Sequence, residues 1–326
     1  MLAGCAAIGS NKESGEKRIQ LTAKNLENIA GKKEIYIGQF SVTFVTQDKA
    51  SATSESALFS SDSGYATSIL KSELKGVPPQ TMQSITDRAY ADLRAKLSAQ
   101  GFTVREQREL TARGDWKKIK TLSTPYSPSA VGGFLKGDSG KSLTLAPTGL
   151  NLFYYLVPQQ QDPTSVSSVP YALAEFAGSL GSPVVVANYR IHFANLSGET
   201  DRTMDYNTGN TTYSAEMTLG QAITVMPGSG IGFIQGLTST FSNPNSYVTL
   251  KTPVIIGGAY GQNEDTTSGA QKAANLFSSA LGVISGGATN ATSITVTADP
   301  ALYEQGVFAA IDLANEKIVA RAGSGT

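Results

Sequence analysis

The sequence predicts an α+β fold, in which a mixed or antiparallel sheet packs with about four helices and carries a strand-rich excursion. Two observations support this prediction. Period-two alternation of apolar and polar residues recurs along the chain and is typical of strands. Apolar stripes at helical spacing occur early, midway and late, without the fixed strand-helix repeat of a parallel α/β fold.

The opening third predicts a strand, a loop, a helix and a second strand. Glu34–Thr46 alternates like a well-buried strand, and the Ser-rich stretch Ala50–Gly64 predicts a long mobile loop. Met82–Leu97 has an apolar residue at each helical turn, and Gly101 stands where helices usually end. Phe102–Val104 then predicts a short strand.

The next segment, Arg105–Lys120, is charged and contains the only tryptophan, Trp116. Basic residues beside an aromatic ring could meet an acidic partner, and a solvated helix face is the alternative. Residues 121–149 are rich in Pro, Ser and Gly and predict a loop or an inserted hairpin. Leu150–Val157 is an apolar run short enough for a buried strand.

The middle of the chain predicts a helix that begins at Ser168-Val169-Pro170 and ends at Gly181. A strand follows from Val184 through Phe193, and Ser197–Glu199 predicts the turn after it. Tyr213–Val225 is a long alternation, which indicates either a curved sheet element or one half of an extended hairpin.

For that hairpin, Gly228–Gly230 would supply the turn and Ile231–Leu237 the return strand, so residues 206–237 form a candidate insertion. Tyr247–Leu250 and Val254–Ile256 predict further strands, and the proline between them indicates an edge or a bulge.

The end of the chain predicts a helix over Ala270–Ile284, a strand over Ile294–Val296 and a closing helix capped by Asp299-Pro300. We therefore expect a polar tether over residues 1–33, one main domain over 34–322 and a short tail over 323–326.

Overall charge disfavours nucleic acid as a partner, because the 326 residues contain 26 Lys and Arg against 26 Asp and Glu. The chain is long enough, and its apolar share of 40% high enough, for a sizeable core. No apolar run reaches the roughly 18 residues that a transmembrane helix needs.

The one cysteine, Cys5, lies in the tetrapeptide Leu2-Ala3-Gly4-Cys5. This tetrapeptide resembles the lipobox of bacterial lipoproteins, and the resemblance implies that Cys5 carries a diacylglycerol anchor in the outer membrane. Met1 would then be an internal methionine downstream of a signal segment, and an ordinary cysteine in a cytosolic protein is the alternative. With one cysteine, neither a disulfide within the chain nor a Cys-based metal site is possible.

Motifs for phosphate and nucleotide binding are incomplete. Gly137–Ser142 ends like a P-loop, but the first glycine of that motif is replaced by Leu135. The glycines from Gly228 to Gly236 do not reach the dinucleotide spacing, because Phe233 and Gln235 stand where the third glycine belongs. We expect no cofactor.

Candidate catalytic and metal-binding residues are few. His192 is the only histidine, so a multi-histidine metal site is excluded; a Ser-His-Asp triad stays open, although no G-x-S-x-G elbow is present. Glu199, Asp201 and Asp205 could bind calcium through oxygen ligands but lack the spacing of an EF-hand. We assign no catalytic residue and no metal site.

Together, the lipobox, the strand over Ile35–Thr46, the helix over Met82–Leu97 and the segment Val186–Thr200 resemble the curli-secretion-channel family of outer-membrane lipoproteins. That family has a periplasmic α+β domain that forms a ring, from which hairpins of each subunit extend. The resemblance implies a homo-oligomer in the cell envelope.

Three functions follow as hypotheses. The first is a lipid-anchored envelope subunit of an oligomeric secretion or surface-appendage complex, with the membrane and other envelope proteins as partners. The second is a lipoprotein that binds a glycan or peptide near Tyr206 and Tyr213, and the third is a hydrolase that uses His192. Trp116, Tyr206 and Tyr213 are the candidate interaction residues.

Overall fold

The computed structural model describes residues 19–55, 64–119, 121–127, 140–153, 169–204, 211–237, 245–275 and 287–324. Within these ranges the fold is α+β, with a mixed sheet of 12 strands, two small hairpin sheets and 5 helices. This confirms the fold class predicted from the sequence.

The strands are β1 (Leu21–Lys24), β2 (Glu34–Glu55), β3 (Tyr65–Lys75), β4 (Thr103–Arg105), β5 (Thr121–Leu122), β6 (Lys141–Leu145), β7 (Leu152–Phe153), β8 (Val184–His192), β9 (Asn195–Met204), β10 (Thr211–Gly220), β11 (Ala222–Val225), β12 (Gly230–Ile234), β13 (Ser246–Leu250), β14 (Val254–Gly257), β15 (Gly261–Asp265) and β16 (Gly287–Ala298). The helices are α1 (Pro79–Ala99), α2 (Gln107–Thr111), α3 (Val169–Leu180), α4 (described over residues 269–275) and α5 (Pro300–Gly323). Short 3₁₀ turns lie at Leu26–Ile29 and Gly114–Lys118.

The main sheet runs in the order β1-β13-β12-β8-β2-β3-β16-β15. Strand β2 is central, because it pairs with β8 and β4 in parallel and with β3 and β6 antiparallel. Strands β3 and β16 are also parallel, whereas β8 joins β12 and β11 antiparallel. Strands β2 and β8 are therefore the two central strands of the main sheet, and we call them the frame strands.

Helices α1 and α5 pack together over one face of the sheet and form the main core with it. Helix α1 begins with Pro79 in its first turn and is followed by Gly101 at φ 90°, as a helix end in the left-handed region favours. The Asp299 side chain caps α5 by accepting hydrogen bonds from the Ala301 and Leu302 amides. Helix α1 therefore contains the predicted segment Met82–Leu97 and ends before Gly101, and α5 begins at the predicted cap.

A second, smaller core lies on the opposite face of the same sheet. Alternate residues of β8 supply the two cores, with Val185 and Ala187 in the first and Val184 and Val186 in the second. In the second core the Trp116 ring packs at 5.6 Å from the Phe176 ring of α3. Covering on both faces explains why β8 is apolar along most of its length.

Two sequence predictions near the long strands are wrong. Ala50–Gly64 is not a loop from its first residue, because β2 continues to Glu55, and β3 begins directly after Gly64. Ser197–Glu199 is not a turn, because these residues lie inside β9 and the chain bends earlier, at Phe193–Ala194. In both places pairing with the next strand along the chain extends a segment whose own residues favour strand only weakly.

The predicted hairpin over Tyr213–Leu237 is also wrong. The alternation breaks at Gln221, where β10 ends and β11 begins. Strand β10 pairs with β9, whereas β11 pairs with β14 and β8, and β12 pairs with β13 and β8. The Gly228–Gly230 turn therefore connects two strands of the main sheet.

Three other predictions are tested only in part. The first is the tether over residues 1–33, of which residues 1–18 lie outside the described part of the chain. Residues 21–33 belong to the body rather than to the tether, because β1 pairs with β13 and Ile29 is buried. Leu152 and Phe153 form a short buried strand, and the rest of the apolar run 150–157 beyond Phe153 lies outside the described residues. The helix predicted over Ala270–Ile284 is described as far as residue 275.

Candidate functional site

Strand β2 extends beyond the main core and builds a separate structure, which we call the arm. The main core contains no β2 residue after Val45. Beyond that point β2 pairs with β3, and β3 pairs with β16. We call these three strands the ribbon layer of the arm, and the β9–β10 hairpin, which contacts β2 and β3, its hairpin layer.

Small side chains allow the two layers to approach closely. A Cβ atom added at Gly198 would lie 2.8 Å from the Ala52 Cβ and 2.8 Å from the Met217 sulfur. The Ser54 hydroxyl donates to the Asp201 carbonyl at 2.7 Å and joins the layers near the far end. Ala52 and Ser54, which belong to the segment predicted as a loop, therefore lie on the inner surface of a two-layer element.

A buried pair, Asp48 and His192, lies where the arm leaves the body. The His192 Nε2 and Asp48 Oδ2 atoms are 2.8 Å apart, and their side chains are 5% and 16% exposed. The Ala194 amide donates to His192 Nδ1 at 3.0 Å, so Nε2 carries the ring proton and donates it to Asp48. Because His192 ends β8 just before the hairpin layer, the pair connects that layer to the ribbon.

Opposing effects set the pKa of Asp48. Burial raises it, but the hydrogen bond from His192, the hydrogen bond from the Lys49 amide and the charge of Arg190 outweigh burial and hold the pKa below its usual value. Asp48 is therefore an acceptor held in its charged form.

This geometry leaves His192 no nitrogen with which to activate a nucleophile. One ring nitrogen donates to Asp48 and the other accepts from the backbone. A general base in a triad needs one nitrogen facing the nucleophile while the other faces the carboxylate. The arrangement supports a structural role for His192.

The outer face of the hairpin layer is polar and acidic. Its exposed side chains are all Ser, Thr, Asp or Glu, namely Ser197, Glu199, Asp201, Thr203, Thr212, Ser214, Glu216 and Thr218. Glu199 and Glu216 are directly opposite each other in the strand register. Like charges in that position repel, so this pair destabilises the isolated hairpin slightly.

The outer face of the ribbon layer has a like-charged pair of the opposite sign. Lys49 of β2 is directly opposite Lys71 of β3, and both are exposed. Beside them, Glu73 accepts from Gln47 at 2.8 Å and lies 3.4 Å from the Lys75 amine. Gln47, Lys49, Lys71 and Glu73 line a shallow cleft of about 230 Å³ at the base of the arm.

The two edges of the ribbon layer differ. On β16, the Asn275 amide donates to the Ala291 carbonyl at 2.7 Å and accepts from the Ala291 amide at 2.9 Å, as a paired strand would. On β2, residues 49–55 pair with β3 on one side and with no described strand on the other. Within the described part of the chain, the β16 edge is therefore capped at Ala291, whereas the β2 edge over residues 49–55 has no neighbouring strand.

A buried polar network lies between the frame strands and was not anticipated from the sequence. The Asn188 Oδ1 accepts from Gln39 at 3.0 Å and from Ser41 at 2.5 Å. Gln39 in turn accepts from the Phe153 amide at 2.7 Å. Among the residues that the structure describes, none accepts a hydrogen bond from the Asn188 Nδ2. The network fixes the register between β2 and β8.

The candidate interaction residues fall in different places. Trp116 is 6% exposed and packs in the second core, so the prediction that it meets a partner is wrong. Tyr213 is half-buried on β10, with the Arg202 guanidinium 5.9 Å from its ring. Tyr206 and Cys5 lie outside the described residues.

The remaining motif candidates also have defined positions. Lys141 and Ser142, at the end of the P-loop-like stretch, begin strand β6 rather than a helix. Glu199 and Asp201 lie on β9, and Asp205 lies outside the described residues. Across the described ranges, no three His, Cys, Asp or Glu side chains group as metal ligands would.

Comparison with protein-family models, with curated proteins and with solved structures found no match to this chain. Among the helices that the structure describes, none combines the length and apolar character needed to cross a bilayer.

Proposed function

We propose that this chain is a lipid-anchored interaction subunit of a bacterial envelope assembly, and that it joins its partners through the arm. The arm is the observation that carries the proposal. After Val45 the 22-residue strand β2 leaves the main core, and the hairpin layer that covers this part contributes no buried residue to that core. Such a structure adds exposed surface rather than core, as a contact element does.

The chemistry of the arm supports the same function. Its hairpin face is polar and acidic, and its ribbon face has two exposed lysines together with the exposed ring of Tyr65. Among the described strands none pairs with β2 beyond β3 over residues 49–55, so another strand could add to this edge. His192, the one candidate base, is engaged on both nitrogens, which weakens the hydrolase hypothesis. The sequence Leu2–Cys5 supports the lipid anchor.

Two measurements test the proposal in the organism that expresses the gene. Metabolic labelling with a fatty-acid probe should mark the protein, and the Cys5→Ser variant should remain unlabelled. Mild detergent extracts should contain the protein in a complex well above the 34.1 kDa of one chain. An unlabelled protein would remove the anchor, and a strictly monomeric extract would contradict the role as an assembly subunit.

A further inference from the structure

From the two outer faces of the arm we infer that copies of this chain associate head to tail, with the Lys49–Lys71 pair of one copy against the Glu199–Glu216 pair of the next. This inference rests on the proposed function and names the partner as a second copy. The arm has a like-charged pair on each side, and the two pairs have opposite signs.

Within one chain each pair is unfavourable. Directly opposed side chains on neighbouring strands lie about 5 Å apart at Cβ, so two lysines or two glutamates repel there. Across the described residues, none of the four side chains forms a salt bridge with another side chain. A second arm would relieve both repulsions at once, since it would place two amines against two carboxylates.

The shapes of the two faces are compatible with this contact. Both faces consist of paired strands, and stacked sheets lie roughly 10 Å apart, which Lys and Glu side chains can span together. The lysines line the shallow cleft at the base of the ribbon layer, whereas the carboxylates stand on a face of short hydroxyl side chains. A protruding acidic face therefore meets a recessed basic one.

Charges nearby leave this complementarity intact. Glu73, the acidic residue next to Lys71, is already engaged by Gln47 and Lys75. Asp201 adds a third carboxylate to the hairpin face, where its Oδ2 accepts from Thr203 at 2.8 Å. Because the two contacting faces differ, the association is heterologous, and successive copies continue as a ring or a filament.

Charge reversal on the full-length, detergent-extracted protein tests the inference. Variant A (Lys49→Glu with Lys71→Glu) has two acidic faces, and variant B (Glu199→Lys with Glu216→Lys) has two basic faces. Each alone should raise the dissociation constant between copies by at least about tenfold, because every contact then joins like charges. An equimolar mixture of A and B should recover assembly, since each A face then meets a B face.

Three controls make the result decisive. Lys32→Glu with Lys33→Glu makes the same change in net charge on an exposed part of the body and should leave assembly unchanged. The chain with all four reversals should assemble with itself, which separates lost contact from lost folding. Raising the salt concentration should weaken the wild-type complex, because these charges are exposed.

Complexes that persist unchanged in variants A and B would overturn this inference while leaving the proposed function intact. Failure of the A and B mixture and of the fourfold variant to assemble would also overturn it. A wild-type extract that is monomeric from the start would instead contradict the proposed function itself.

Discussion

Replacing Asp48 with alanine should loosen the attachment of the arm. The change leaves the His192 Nε2 proton without an acceptor, where the ring is 5% exposed, and removes an acceptor for the Lys49 amide. Loss of a buried hydrogen bond to a charged group costs about 2–3 kcal/mol of the free energy of unfolding. Asp48→Asn keeps an acceptor for His192 and should cost only about 1 kcal/mol.

Urea unfolding gives the global cost, and hydrogen exchange shows where it acts. We expect Asp48→Ala to lower amide protection in β9 and β10 more than in helix α1, because the pair connects the hairpin layer to the ribbon. Ser51→Ala is the matched control, an exposed change on the same strand that should stay within about 0.5 kcal/mol. If Asp48→Ala costs no more than this control, the pair does not hold the arm.

The pH dependence has a definite sign. A carboxyl whose folded pKa is depressed stabilises the protein above its unfolded pKa, about 3.9, and loses that effect as the pH falls through the folded value. Asp48 is such a group. The difference in unfolding free energy between wild type and Asp48→Asn should therefore be constant near neutral pH and shrink below about pH 4.

Three further substitutions test other contacts. Trp116→Ala should lower the free energy of unfolding in urea by about 3–5 kcal/mol, because the ring is buried. The neighbouring Lys117→Ala changes an exposed side chain and should cost less than about 0.5 kcal/mol. Equal losses from the two changes would contradict the second core. Gly198→Val should separate the layers at Ala52 and cost about 1–3 kcal/mol, and unchanged exchange in β10 would refute the packing. Asn275→Ala should expose the β16 edge and cost about 1–3 kcal/mol, seen as faster exchange there and nowhere in α1.

The elements that sequence reasoning predicted are those whose signals are local. Helix α5 is an example, because Asp299 caps the first turn and Pro300 follows it at once. Gly101, at φ 90°, likewise lies directly after the end of α1. In such places a few neighbouring residues decide the conformation.

The arm could not be predicted in this way, because distant segments form it. Ala50–Glu55 has few strand-favouring residues and becomes a strand through β3 and the hairpin layer above it. Asp48 and His192, the buried pair where the arm leaves the body, are 144 positions apart. Nothing near either residue in the sequence indicates the other.

Two features of the structure, the Glu199–Glu216 pair and the burial of Trp116, could be predicted from the sequence. A strand that continues through Ser197–Glu199 to Met204 and pairs antiparallel with the alternation from Thr211 opposes Glu199 to Glu216 by register. The charged neighbours of Trp116 favour a surface position for its ring, but the ring is buried. A large aromatic side chain is usually buried, and this preference outweighs the charge of its neighbours.

The parallel contact between β3 and β16 constrains when the arm can be completed. Tyr65 pairs with Gly287, so the third ribbon strand is synthesised long after the second. Before β16 is made, this edge of β3 has no partner strand. Pairing between segments so far apart in the chain forms slowly. Newly made copies therefore expose an incomplete arm to other strands for a time. A chaperone that binds β3 would protect them from premature association.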